Sequence, residues 1–177
     1  IGALDAQASG NPHGSEPVAR YNKYSLTLSY LQPFRLWNEN FSFDSLATGQ
    51  RSEDVLFSPQ RISLGGLNSV RGFQDQTLSG NSGGYWRNQL RWRRAVTWPA
   101  LQPFVQEYGM AFAYDVGVIK GDRYNHDARG RMSGNALELN ARGQYLAASV
   151  SFARSLERPA IIERREHPVY FRVDLFF

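Results

Sequence analysis

Phe104-Val105-Gln106-Glu107-Tyr108-Gly109-Met110-Ala111-Phe112-Ala113-Tyr114-Asp115-Val116-Gly117-Val118-Ile119 alternates strictly over most of its length. Phe104, Tyr108, Met110, Phe112, Tyr114, Val116 and Val118 share one face, and Glu107, Gly109, Ala111, Ala113, Asp115 and Gly117 share the other. Period two is the signature of a β-strand. The chemistry of the two faces is unusual for a soluble sheet. The bulky apolar residues face one way, and the other face is small and carries an acid. Such a strand fits a wall between an apolar medium and a confined polar interior.

The same period recurs along the chain. It predicts strands over 22–34, 36–46, 85–98, 104–119, 136–142, 145–156 and 169–177, with the end of an eighth in 1–8. The segments run to about 9–15 residues, longer than the usual soluble strand and suited to a tilted membrane crossing. Between them lie a Gly/Pro/Ser-rich loop over 9–21, a tight turn around Pro33–Arg35 and a very long loop over 47–84. A short turn at 99–103, a loop at 120–135, a turn at Gly143 and a loop at 157–168 complete the order. Short turns alternating with long loops are the layout of an outer-membrane barrel. Trp37, Trp86, Trp98 and Tyr108 are placed near strand ends, where an interfacial girdle needs them.

Composition agrees with this layout. The 177 residues contain no run of eighteen apolar residues, which excludes a transmembrane helix. The mean hydropathy of −0.46 does not exclude a barrel, because half of every barrel strand faces a polar interior. There is no cysteine, so no disulfide framework. The cations are lopsided: Lys23 and Lys120 are the two lysines among 20 basic residues, and the rest are arginine. Arginine suits fixed, bidentate or partly desolvated contacts. Its spread over many segments, with no basic helix or stripe, argues against a nucleic-acid surface. The chain starts at Ile1 without a signal-peptide pattern, which reads as a processed chain or a piece of a longer protein.

The long loop carries Ser63-Leu64-Gly65-Gly66-Leu67-Asn68-Ser69-Val70-Arg71-Gly72-Phe73. Glycines around a single arginine shape a loop that delivers Arg71 to a partner. From Arg71 to the strand near Tyr85 the chain spans roughly 45 Å if extended. That exceeds the ~25 Å apolar band of a barrel, so the tip is able to fold back inside. Asp115 is the expected partner. By parity it lies on the polar face, where Gly109, Ala111, Ala113 and Gly117 leave room, and facing lipid it would cost a few kcal/mol.

Val70-Arg71-Gly72-Phe73 resembles the VRGY/F loop motif of the BamA-like outer-membrane superfamily. Phe112-Ala113-Tyr114-Asp115-Val116-Gly117 resembles its FxxDxG strand motif. With Ser58-Pro59-Gln60-Arg61-Ile62-Ser63-Leu64-Gly65-Gly66, the chain is similar to the TpsB transporters of two-partner secretion, which export haemolysins, haemagglutinins and contact-dependent inhibition toxins. Phe73 stands where many relatives carry Tyr. The resemblance implies an all-β, antiparallel transmembrane barrel, of which residues 1–177 supply about seven to eight C-terminal strands out of about sixteen. It implies a loop, 47–84, folded into the pore and held by Asp115, with Phe112 and Gly117 as the rest of the anchoring strand. It implies a Gram-negative outer-membrane location and a secreted exoprotein partner bearing an N-terminal secretion domain. It also implies contacts with outer-membrane lipid and lipopolysaccharide, and recognition of the terminal aromatic Phe177 by the barrel assembly machinery.

Arg87, Arg91 and Arg93 share the polar face of one strand. They read as lumen lining, either a wall along which an unfolded polypeptide slides or a network paired with Asp44, Glu107 and Glu138. Nothing points to an enzyme, a cofactor or a metal. Gly80-Asn81-Ser82-Gly83-Gly84 matches GxSxG, but a nucleophile elbow needs a helix after it, and a strand follows here. His13, His126 and His167 lack metal spacing, and Asp122 and Asp127 lack the alternating acids of a calcium loop. The function read is an export pore. An insertase of the same superfamily comes next, then a passive porin-like channel, with a soluble β-sandwich last.

Overall fold

A computed structural model describes residue 17, residues 19–121 and residues 129–176. The possible strand in 1–8, His13, His126, Asp122, Asp127 and Phe177 lie outside the described residues. Among the described residues seven long strands form one antiparallel sheet: β1 (Lys23–Leu36), β2 (Glu39–Ser52), β5 (Ser82–Ala95), β6 (Glu107–Lys120), β7 (Gly130–Arg142), β8 (Leu146–Glu157) and β9 (Val169–Leu175). Each pairs with the next in chain order. Between β2 and β5, a two-stranded hairpin of β3 (Ile62–Leu64) and β4 (Leu78–Gly80) forms a separate small sheet.

Several boundaries differ from the sequence-based expectation, each for a local reason. The first turn is not at Pro33–Arg35. β1 runs through Pro33 to Leu36, and the chain reverses at Trp37 and Asn38, both with positive φ. Among the described residues β1 has one neighbour, and a strand with an open edge tolerates a residue that lacks an N–H. The long loop is shorter than 47–84. β2 continues to Ser52 and β5 begins at Ser82, because the small residues of 47–49 and 82–84 pair although they show no alternation. β7 likewise begins at Gly130 rather than 136. The turn after β5 spans 96–106, so Trp98 and Phe104 belong to it and not to strands. It is longer than the 121–129 loop, and the expected short–long alternation is therefore imperfect.

A 14-residue strand such as β6 is about 48 Å long, and at a 45° tilt it rises about 34 Å, enough to cross a hydrocarbon layer. The sheet has two unlike faces. On one, Leu26, Leu28, Trp86, Leu90, Met110, Phe112, Leu137, Phe152, Phe171 and Val173 are all exposed. Phe112 is 53% exposed and Phe171 79%. A water-soluble monomer rarely leaves so continuous an apolar face bare. Trp37, Trp98, Phe104 and Tyr145 rim the turn end, as an interfacial aromatic belt would.

The other face is where the protein buries its side chains. Gly109, Ala111, Ala113, Asp115, Gly117 and Ile119 of β6 are buried, every second residue. The 53–81 loop covers the Asp115, Gly117 and Ile119 end of this face. Ile62, Leu64, Val70, Phe73 and Leu78 of that loop pack with Ile119 of β6, Met132 of β7 and Ile162 of the 158–168 segment. The main apolar core thus lies between the loop and the sheet.

Candidate functional site: the loop anchorage

The loop tip is pre-shaped before it meets the sheet. Gly66 N donates to Phe73 O at 2.6 Å, closing the 66–73 turn. Ser69 Oγ accepts from Gly65 N and donates to Gly65 O, each at 2.9 Å. Gly65, Gly66 and Gly72 all have positive φ, a conformation other residues adopt at a cost. Val70 and Phe73 turn into the core, so Arg71 between them is turned onto the strands.

Arg71 meets Asp115 in a fork. Its Nε donates to Oδ2 at 2.6 Å and its Nη2 to Oδ1 at 2.8 Å. The Arg71 backbone N–H adds a third bond, to Oδ2 at 3.0 Å. Nη1 donates to Gln89 Oε1 on β5 at 2.5 Å. Arg71 is 6% exposed and Asp115 fully buried. Bidentate, charge-assisted bonds of this type fix orientation as well as position. Removing either partner would strand a buried charge, at about 3–5 kcal/mol.

The strand register explains why Asp115 is the receptor. Arg87 of β5 pairs directly with Asp115 on one side, and Gly134 of β7 pairs with it on the other. Arg87 Nε stays 4.0 Å from Asp115 Oδ1, and its Nη1 donates to Asn68 O of the loop at 3.3 Å. On the Gly134 side the loop backbone comes down onto bare backbone. At Gly117 a Cβ would come within 2.7 Å of Leu64 and 3.1 Å of Val70. At Gly72 a Cβ would meet the Arg154 carbonyl of β8 at 2.5 Å. The loop therefore crosses β6, β7 and β8 at points where small residues allow contact.

Not every expected residue belongs to this contact. Phe112 sits on the bare apolar face, opposite Asp115, and does not reach the loop; the two differ by an odd number of positions in one strand. Arg91 pairs with Asp44 at 3.0 Å and Arg93 with Glu107 at 3.8 Å, on the same face but nearer the turns. Glu138 forms no ion pair with them among the described residues.

Other participants carried little or no sequence signal. Gln89 was on the right face by parity, with nothing to mark it as a partner of Arg71. Gly134 lies in 120–135, which reads as a loop from its lack of alternation and is in β7 in the fold. Glu166, beside Arg164 and Arg165, reads as a solvated acid. In the fold it is 9% exposed and accepts from Gln74 N at 2.5 Å, Asp75 N at 3.1 Å and Gln76 Nε2 at 2.8 Å. Burial pushes its carboxyl up, but these three bonds and the Arg164 charge outweigh burial and hold it below the ordinary glutamate value. Tyr170 OH adds a bond to Phe73 O at 3.3 Å.

The sequence and the fold both have relatives. The family of haemolysin secretion/activation proteins ShlB/FhaC/HecB matches residues 1–141. The outer membrane transporter CdiB of Escherichia coli O6:K15:H31 is 31% identical over 97% of this chain and 28% of its own length. The haemolysin transporter protein HpmB of Proteus mirabilis is 30% identical over 85% of the chain and 25% of its own length. The solved structure of CdiB from Escherichia coli superposes with a TM-score of 0.83 at 30% identity, covering 94% of this chain and 30% of that one. The chain thus spans less than a third of the length of these relatives. The seven-stranded sheet corresponds to C-terminal strands of a transmembrane β-barrel of the outer membrane. The chain belongs to the ShlB/FhaC/HecB family, the TpsB outer-membrane transporters of two-partner secretion.

Proposed function

We propose that this chain forms the C-terminal wall of a pore that exports a large unfolded exoprotein, and that the 53–81 loop is its internal plug. One observation carries the reading: the buried Arg71–Asp115 fork holds a long loop on the polar face of the sheet. In a closed barrel that face is the lumen. A fork of this kind gives specificity of position more readily than net stability, which suits a loop that is held and then released.

Below the plug, Arg91 with Asp44 and Arg93 with Glu107 line the passage as neutralised pairs, offering polar contacts without a strong net field. The exoprotein would be recognised through its N-terminal secretion domain and would pass without covalent chemistry. Arg51, Lys120 and Arg131 stand exposed at the loop end of the apolar face, Arg51 paired with Glu53 and Arg131 with Glu157, and would meet lipopolysaccharide phosphates there. Phe177 would serve the barrel assembly machinery as a terminal signal. An insertase of the same superfamily would keep both motifs, but the sequence kinship to the CdiB and HpmB transporters favours export.

The test is deletion of residues 60–80 in the full-length protein. Single-channel conductance in planar bilayers should rise while exoprotein in the medium falls. Unchanged conductance would place the loop outside the pore.

A further inference from the structure

The loop is gripped a second time, by different residues from a different element. The 158–168 segment joins β8 to β9 and lies against loop residues 73–76. A single carboxylate, Glu166, takes three donors from Gln74, Asp75 and Gln76. Gln76 completes the contact by donating to Arg164 O at 3.2 Å and accepting from Glu163 N at 3.0 Å. Asp75 pairs with Arg164 at 3.5 Å, and Ile162 is buried in the loop's own core.

Glu166 is itself fixed. Its N–H donates to Ser155 Oγ at 2.8 Å, and its carbonyl accepts from Ser155 N at 3.1 Å and Ser155 Oγ at 3.2 Å. Ser155 is fully buried in β8. The segment also runs straight into β9, which begins at Val169. Arg71 therefore ties the loop to the wall formed by β5 and β6, and Glu166 ties the next turn of the loop to the β8–β9 connection. None of the donors is shared between the two grips.

We propose that Glu166 is a second positioning residue of the plug, which couples its exit to the 158–168 strap. Breaking the Arg71–Asp115 fork alone leaves residues 74–76 tethered. Full release requires the strap to let go or to move with the loop. The meaning of this for transport rests on the export reading above, but the coupling itself is a property of the barrel and needs no exoprotein.

The experiment measures spontaneous large-conductance openings of the purified full-length protein in planar bilayers. Heat-modifiable gel mobility confirms the folded barrel in each variant. Glu166→Ala should raise the opening frequency about tenfold, the scale of losing charge-assisted hydrogen bonds. Glu166→Gln should not restore the wild-type frequency, because it keeps the size and loses the charge. Gln76→Cys with Glu163→Cys, bridged by a short bis-maleimide, should suppress openings even in the Arg71→Ala background. Wild-type frequency in folded Glu166→Ala, wild-type behaviour of Glu166→Gln, or undiminished openings in the bridged Arg71→Ala protein would each overturn the proposal. Failure of the export reading would instead show as exoprotein secretion indifferent to all these variants.

Discussion

A Cβ placed on Gly134 would lie 1.8 Å from the backbone carbonyl oxygen of Arg71. The loop backbone rests directly on the β7 backbone at the residue paired with Asp115, beside a register shift between Ser133 and Gly134 where β7 meets β8. The side-chain fork and this main-chain contact meet at one place. The fork sets which residue docks, and the missing side chain at 134 sets how deep it docks.

Gly134→Ala should therefore act on the loop and not on the strand. Alanine suits β7 well enough, so the barrel should assemble and keep its heat-modifiable mobility. The loop must lift, which lengthens the Arg71–Asp115 bonds. We expect protease cleavage within 60–80 to appear in the variant and not in the parent protein. A variant as resistant as the parent would mean that the contact relaxes without cost.

The strand motif divides cleanly by face. Gly117→Val adds a side chain where Leu64 and Val70 already sit, and overpacking of this kind costs about 1–3 kcal/mol. Phe112→Ala removes a ring from the bare apolar face and leaves the loop untouched. Loop protection against protease should fall in the first variant and stay at the parental level in the second. Equal loss in both would assign the motif to strand stability instead of loop docking.

How much of this was legible beforehand follows from where the signal lies. The alternation in 107–119 fixes both faces of β6 and puts Asp115 on the buried one. Arg71 was legible because three glycines surround it in a long loop. The turn at Trp37–Asn38 was not, since positive φ at a tryptophan has no sequence mark. The β2 and β5 ends around 47–49 and 82–84 were lost because small residues pair through backbone bonds and carry no alternating pattern. Glu166 and Gln89 were invisible for a third reason. Each acts on a segment far away in the chain, and only the packed loop brings them into register with it.

Acid should loosen the strap. Glu166 sits below the ordinary glutamate value of 4.5, because the bonds from Gln74, Asp75 and Gln76 and the Arg164 charge favour its ionised form over the penalty of burial. Its contribution is fully present above pH 4.5 and is lost as the pH falls through the lower, folded value. Asp75, Arg164 and Tyr170 also face this site and remain in the variant used as control. Opening frequency of the parent channel should rise as the pH is lowered from about 5 to 3, a window set by linkage. Glu166→Gln should lack that step.

The fork itself calls for a double-mutant cycle. Arg71→Ala leaves Asp115 buried beside Arg87 at 4.0 Å, a weaker partner than the lost guanidinium. Asp115→Ala leaves Arg71 with Gln89 alone and Arg87 without its acid. Each single change should cut secreted exoprotein, normalised to barrel in the outer membrane, and the double should be little worse than the worse single. Contacting charges of this kind couple by about 0.5–3 kcal/mol. The charge swap Arg71→Asp with Asp115→Arg should recover only part of the loss. An arginine rising from β6 would not find the Gln89 carbonyl or reproduce the backbone bond from residue 71, because fork geometry depends on which side delivers it. Additive losses at constant barrel level would mean that the two residues act separately, and the plug would then be held by the Glu166 strap and its apolar core.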